Sequence, residues 1–210
     1  MQVDASHYQF ERYVDIRRWC SYWHQLREVL ALNPKTVLEV GVGTGINSLL
    51  LRQLGCDTST MDIDPALKPT HVGSVTAMPL ADASYDVVAA FQVLEHLPYE
   101  DFRTAVSELR RVAASHVVLS LPDAHKMLTF VLPLPFGGER RFQIPKPRWR
   151  ARVHRITGEH QWEINKRGYP VSRIVGDLEA SGRTVLRTFR APVRPMGVSG
   201  RFVAMSLGVG

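Results

Sequence analysis

The sequence predicts an α/β fold, a mostly parallel sheet with helices on both faces. Two observations predict it. Short strand-like runs alternate with amphipathic helical segments between residues 36 and 121. Several runs carry apolar residues at consecutive rather than alternate positions (Val37-Leu38, Val87 to Ala90, Val117 to Leu119), as in parallel strands apolar on both faces. The elements follow in order. Residues 8–31 form an amphipathic helix, with Phe10, Tyr13, Ile16, Cys20, Trp23, Leu26 and Leu30 at three- and four-residue steps. Asn33-Pro34 ends it. Thr36–Val40 is the first strand, followed at once by Gly41, Gly43 and Gly45. Ile46–Leu54 is a helix closed by Gly55. Thr58–Asp62, His71–Val75 and Tyr85–Ala90 are the next three strands. Asp101–Val112 is a helix with Phe102, Val106, Leu109 and Val112 on one side, and His116–Leu121 is a fifth strand ended by Pro122. Val171–Ala180 reads as a helix, and Thr184–Phe189 and Phe202–Leu207 as two more strands. Residues 122–168 read as irregular.

Composition sets the outer bounds. The chain has 210 residues, which suits a single domain over 1–210. Hydrophobic residues make up 45% and charged residues 22%, which excludes wholesale disorder. Two cysteines, Cys20 and Cys56, exclude a disulfide scaffold and a four-cysteine zinc site. Charges within the first thirty residues leave no signal-peptide core. The longest mostly apolar run, residues 127–136, is too short and too interrupted by proline to span a bilayer. A cytoplasmic protein is the expectation. Residues 137–168 hold nine basic and three acidic side chains, which accounts for the whole net charge of +6.

The segment Val37-Leu-Glu-Val-Gly-Val-Gly-Thr-Gly45 carries the most chemistry. Glycines between a strand and a helix let backbone approach a ligand at the carboxyl edge of a sheet. Ile46 stands where a dinucleotide fingerprint has its third glycine, and no Gly-Lys-Ser/Thr follows, so a nucleoside triphosphate loop is excluded. Asp62 ends the second strand, where a carboxylate can accept both hydroxyls of a ribose.

These segments are followed by Met61-Asp-Ile-Asp-Pro65, Met78-Pro-Leu-Ala-Asp-Ala-Ser-Tyr-Asp-Val-Val88 and Val93-Leu-Glu-His-Leu97. In that order they resemble class I S-adenosylmethionine-dependent methyltransferases, most of all the branch with the ubiquinone/menaquinone methyltransferases. The resemblance is strong over residues 33–122. It implies a Rossmann-like seven-stranded sheet, with residues 123–168 as a basic, substrate-side insertion after the fifth strand and 169–210 completing the sheet. It implies S-adenosylmethionine as cofactor. Glu39 would face its methionine end, with the backbone of Gly41, Val42, Gly43 and Gly45 against the same end. Asp62 would bind the ribose and Ile63 would lie beside the adenine. Ser74 and Val75 stand at the adenine position, Ser74 replacing an aspartate common in the family. Phe91 and Gln92 would close the pocket.

Methyl transfer is an in-line displacement, so alignment does much of the work. An oxygen or nitrogen acceptor also needs a base. Three histidines are candidates in this order: His96 after the fourth strand, His125 after the fifth, and His160 in the insertion. No metal is expected, because His154 and His160 lie six apart with no third ligand close in sequence. Phe130, Phe136, Phe142, Trp149, Trp162 and Tyr169 can line an acceptor pocket. The expected acceptor is a small molecule, with an acidic or phosphorylated one suggested by the arginines. An RNA methyltransferase and a non-catalytic cofactor-binding subunit are the alternatives. RNA ranks lower because Phe91-Gln-Val-Leu94 replaces the Asn/Asp-Pro-Pro-aromatic run of base N-methylation.

Overall fold

The computed structural model describes residues 14–124, 127–134, 138–145, 153–154, 160–180, 185–190 and 202–208. Helix α1 spans Ile16–Leu30 and is capped by Asp15, whose side chain accepts from the Arg18 N–H at 2.9 Å. The cap places the helix start well inside the expected residues 8–31, and residues 8–13 lie outside the described residues. There follow β1 (Thr36–Val40), α2 (Ile46–Gln53), β2 (Asp57–Asp62), β3 (His71–Val72), β4 (Tyr85–Phe91), α3 (Phe102–Val112) and β5 (Ala113–Pro122). Then come β6 (Met127–Pro133), β7 (Glu139–Pro145), α4 (Val171–Glu179), β8 (Val185–Arg190) and β9 (Phe202–Gly208).

Seven strands form one sheet in the order β3-β2-β1-β4-β5-β9-β8. The five from β3 to β5 are joined by parallel pairings, while β9 pairs antiparallel with both β5 and β8. The sheet is therefore mostly rather than wholly parallel. Successive residues of a strand point to opposite faces. Val37, Val87, Ala89 and Val118 pack with Val29 of α1 and Leu51 of α2 on one face. Leu38, Val88, Ala90 and Leu119 pack with α3 and α4 on the other. The apolar stripe of α3 is as the sequence predicts, with Phe102, Val106, Leu109 and Val112 all buried.

Two elements differ from expectation. Ile16 and Trp23, read as part of the buried stripe of α1, are exposed, and the Arg27 guanidinium covers the Trp23 ring at 4.9 Å. The inward side carries Gln25 and Glu28 alongside Val29. The region read as irregular contains the β6–β7 hairpin, a separate two-stranded sheet pairing Met127 with Pro145 through Pro133 with Glu139. Among the described residues, no helix is long and apolar enough to cross a membrane.

Candidate functional site

The chain turns sharply where β1 ends. Gly41, Gly43 and Gly45 all have positive φ, at 84°, 52° and 71°. At Gly41 an added Cβ would lie 2.3 Å from Val93 Cγ2, so close approach as well as backbone conformation requires glycine. The Gly41 N–H donates to the Met61 carbonyl at 2.8 Å, which keeps the turn in register with β2. The Gly45 N–H closes the loop on the Val42 carbonyl at 2.8 Å, and Gly45 caps α2.

Asp62 fastens this loop from the neighbouring strand. Its carboxylate accepts from the Val42 N–H at 2.8 Å and from the Asp64 N–H at 2.9 Å. A carboxylate has about four acceptor positions, so capacity remains for two hydroxyl donors.

One cavity opens against the loop. It is lined by Glu39, Gly41, Val42, Gly43, Phe91 and Gln92, which the sequence nominated together. The Glu39 side chain is buried, and burial pushes its pKa up to about 8 against weaker opposing hydrogen bonds from Ser48 and Asn47. Glu39 Oε2 and Asn47 Oδ1 are buried without a hydrogen-bond partner. Two orphaned acceptors on one cavity wall suit a ligand that brings donors and positive charge. The α-ammonium and sulfonium of S-adenosylmethionine answer both requirements.

The other nominated cofactor residues do not line this cavity. Gly45 contributes through the loop, and Asp62 through Val42. Ile63 is exposed, Val75 is buried, and Ser74 Oγ bonds Thr76 Oγ1 at 2.8 Å. Conversely, α1 supplies lining that the sequence reading did not nominate: Arg18, Ser21, Tyr22 and Gln25. They recur at three- and four-residue steps, as one face of a helix requires. Tyr22 Oη lies 3.1 Å from Thr44 Oγ1 in the glycine loop. Gln25 donates to Ser120 Oγ at 3.0 Å and accepts from Asn47 Nδ2 at 2.8 Å. This buried chain of amides and hydroxyls ties α1 to α2 and β5.

A second group of polar side chains lies at the end of β4, three residues beyond Gln92. A 3-10 turn, Leu94–His96, carries Glu95 and His96. The segment 160–165 docks against it. The Gln161 N–H donates to the Glu95 carbonyl at 2.7 Å, and the Ile164 N–H to the Pro122 carbonyl at 3.1 Å. His96 and His160 rings are 5.2 Å apart between centroids. His160 Nε2 is 4.0 Å from Glu95 Oε1, beyond hydrogen-bond distance. His160 Nδ1 is 3.3 Å from Glu163 Oε1. Glu95 is fully buried, and burial raises its pKa to about 8 despite the nearby His160. Two of the three nominated histidines thus meet, while His125 lies outside the described residues.

The aromatic residues nominated for an acceptor pocket divide. Trp162 is fully buried and donates from Nε1 to the Leu97 carbonyl at 3.2 Å, with Tyr99, Phe102 and Tyr169 around it. It anchors the docked segment in the core. Phe130 and Phe142 are exposed, a cross-strand pair on the β6–β7 hairpin. Phe136 and Trp149 lie outside the described residues, as do Lys146, Arg148, Arg150, Arg152 and Arg155.

Comparison with known proteins supports the fold. The family described as "Methyltransferase domain" matches residues 38–121. The chain is 26% identical over 163 residues to the chloroplastic magnesium protoporphyrin IX methyltransferase of Arabidopsis thaliana, covering 68% of this chain and 51% of that protein. The chain thus spans about half the length of that curated relative. Among solved structures, the 1,6-didemethyltoxoflavin-N1-methyltransferase of Burkholderia thailandensis superposes with a TM-score of 0.59 at 14% identity, covering 97% of this chain and 84% of that one. It was solved with 1,6-didemethyltoxoflavin and S-adenosylhomocysteine bound. The magnesium protoporphyrin IX methyltransferase of Synechocystis, solved with S-adenosylmethionine, gives a TM-score of 0.55 at 17% identity, covering 100% and 87%.

Proposed function

The chain is built on a class I S-adenosylmethionine-dependent methyltransferase domain, and from that premise we propose that it methylates a small-molecule acceptor. The observation that carries this reading is the glycine loop fastened to Asp62 and facing two orphaned acceptors, Glu39 Oε2 and Asn47 Oδ1. Relatives named for magnesium protoporphyrin IX and 1,6-didemethyltoxoflavin support a small-molecule acceptor. The arginines of residues 137–168 favour one with an acidic or phosphorylated group.

When bound, S-adenosylmethionine supplies an electrophilic methyl group on a sulfonium. The chain's part is to bind, align and prepare the acceptor. Glu39 and Asn47 accept from the cationic end of the cofactor. Asp62 takes the ribose hydroxyls with its remaining acceptor positions. Ile63, Ser74 and Val75 would hold the adenine. Phe91 and Gln92 close the cavity at the end of β4. Removal of the acceptor's proton is assigned to the group Glu95, His96 and His160, which shares the carboxyl edge of the sheet with the cavity. His125 stays a third candidate by its position after β5.

Calorimetry with S-adenosylhomocysteine, followed by a mass-spectrometric screen of carboxylated, phosphorylated and planar heterocyclic acceptors for a gain of one methyl group, tests the reading. Absence of S-adenosylhomocysteine binding would remove it. Binding without transfer to any small acceptor would favour a non-catalytic cofactor-binding subunit.

A further inference from the structure

Glu95, His96 and His160 come from two distant stretches of chain, and one ligand-capable atom from each lies within 4.8 Å of the others. The meeting is built into the fold. Residues 160–165 are held to the ends of β4 and β5 by hydrogen bonds from the Gln161 N–H to the Glu95 carbonyl, from the Ile164 N–H to the Pro122 carbonyl, from the Ala124 N–H to the Ile164 carbonyl, from Asn165 Nδ2 to Asp123 Oδ1 and from Trp162 Nε1 to the Leu97 carbonyl. The buried indole of Trp162 makes this docking part of the core.

Three features of the group point to a ligand. The Glu95 carboxylate is 0% exposed, and neither of its oxygens has a hydrogen-bond partner. A buried carboxyl group whose oxygens lack partners is satisfied by a donor or a cation brought to it. Secondly, His160 Nδ1 faces the Glu163 carboxylate at 3.3 Å, and it is Nε2 that is directed at Glu95. A histidine donating from one ring nitrogen to a carboxylate holds its lone pair on the other nitrogen, the arrangement that orients imidazole ligands toward metals. Thirdly, two imidazoles and one carboxylate form a donor set suited to zinc, cobalt, nickel or ferrous iron, not to magnesium or calcium, which prefer oxygen ligands alone. His154 is not a fourth member: its ligand atoms are not among those that gather within 4.8 Å, and its Nε2 bonds the His160 carbonyl at 2.9 Å.

We propose that Glu95, His96 and His160 bind one divalent transition-metal ion, with Glu163 positioning His160 from behind. Ligand atoms around such an ion, each about 2.1 Å from it, lie roughly 3–4 Å apart, so the group must contract by about an ångström. Three protein ligands leave coordination positions open. An acceptor oxygen or nitrogen entering one of them would lose its proton more readily, and the imidazoles would then act as ligands, not bases. That role rests on the methyltransferase reading; the binding of the ion does not.

The test uses the full chain, freed of metal by a chelator. Cobalt(II) is titrated and followed by its visible absorption, zinc by competition with a chromophoric chelator, and S-adenosylhomocysteine binding is measured in parallel. The expected result is one equivalent of metal, with affinity lowered at least tenfold in Glu95→Gln, His96→Ala and His160→Ala. Glu163→Gln should weaken binding roughly tenfold, as loss of an outer carboxylate does. His154→Ala should leave it unchanged. His160 is partly exposed, so its variant carries the test if Glu95→Gln fails to fold. Failure of the wild-type chain to bind either metal would overturn the proposal, and so would equal binding by wild type and the His96→Ala/His160→Ala double variant. S-adenosylhomocysteine binding without metal binding sinks the ion and leaves the methyltransferase reading standing; metal binding without S-adenosylhomocysteine binding does the reverse.

Discussion

The Asp62 carboxylate accepts a hydrogen bond from the Val42 N–H at 2.8 Å, so the acid at the end of β2 shapes the glycine loop. In the proposed site the same carboxylate would also take the ribose hydroxyls, so its removal should be read in two ways at once.

Asp62→Ala should weaken S-adenosylhomocysteine binding by about 1.5–3 kcal/mol, the range for hydrogen bonds to a charged group. It should also lower stability by about 1–3 kcal/mol, because the Val42 and Asp64 N–H groups lose their acceptor. Calorimetry and urea unfolding separate the two effects. An unchanged affinity would remove Asp62 from the cofactor site, whatever happens to stability.

Glu39 gives a pH dependence with a definite sign. Burial raises its pKa from the ordinary 4.5 to about 8, so at pH 7 the ligand-free protein holds it protonated. A cationic ligand favours the ionised form, so binding at pH 7 should release a proton. Affinity should then climb by up to tenfold per pH unit between pH 6 and 8 and level off above. The stability of the ligand-free protein should move the other way. Glu39's contribution is complete below pH 4.5 and is lost as pH rises through about 8. Calorimetry in two buffers of different ionisation enthalpy measures the proton. Equal heats in both buffers, or the same slope in Glu39→Gln, would show that Glu39 does not meet the cation.

Gly41→Ala should destabilise the fold by about 1–3 kcal/mol through backbone strain alone, since φ is 84°. The contact with Val93 Cγ2 adds to this. Trimming the neighbour in Gly41→Ala/Val93→Ala should recover the steric part and leave the strain. A double variant as unstable as the sum of the two single changes would place the clash elsewhere.

Gln25→Ala tests the unexpected contribution of α1. It removes the Gln25 Nε2–Ser120 Oγ and Asn47 Nδ2–Gln25 Oε1 hydrogen bonds from a buried network, and leaves Ser120 Oγ only the longer bond from Gln92 Nε2 at 3.4 Å, which should cost about 1–3 kcal/mol in stability. Cofactor affinity should fall with it, because Gln25 and Asn47 both line the cavity. Wild-type affinity in a folded variant would make this network structural only.

The basic stretch supports a separate measurement. If Arg140 and its neighbours contact RNA phosphates, affinity should fall with salt at a log–log slope near −0.7 per contact. Weak, non-specific binding is expected. Sub-micromolar affinity for a defined RNA at physiological salt would put RNA ahead of a small acceptor.

How far the sequence was legible follows from where the physics is local. β1 and β4 could be read because apolar residues at consecutive positions, Val37-Leu38 and Val87 to Phe91, admit few other placements. The loop from Gly41 to Gly45 could be read because positive φ leaves few residue choices. The inward face of α1 could not, because a hydrophobic pattern presumes an apolar core, and Tyr22 and Gln25 instead face a polar cavity. The β6–β7 hairpin was hidden by prolines at 133, 135 and 145 and by arginines at 140 and 141, in a sheet too small to need an apolar code. The meeting of Glu95 with His160 is invisible to spacing, since it depends on how residues 160–165 return to the end of β4.

The position of β9 constrains how the molecule can be made. Its residues, 202–208, fill the slot between β5 and β8, and Phe202 pairs with Pro122. During synthesis, β1 through β5 can form their parallel pairs as soon as residue 122 is free of the ribosome, at about 5–20 residues per second. The outer side of β5 then waits, unpaired, while the following eighty or so residues are translated. A nascent sheet with an open edge is a template for other chains. Slow translation over this interval should therefore favour aggregation, and rapid delivery of β9 should suppress it.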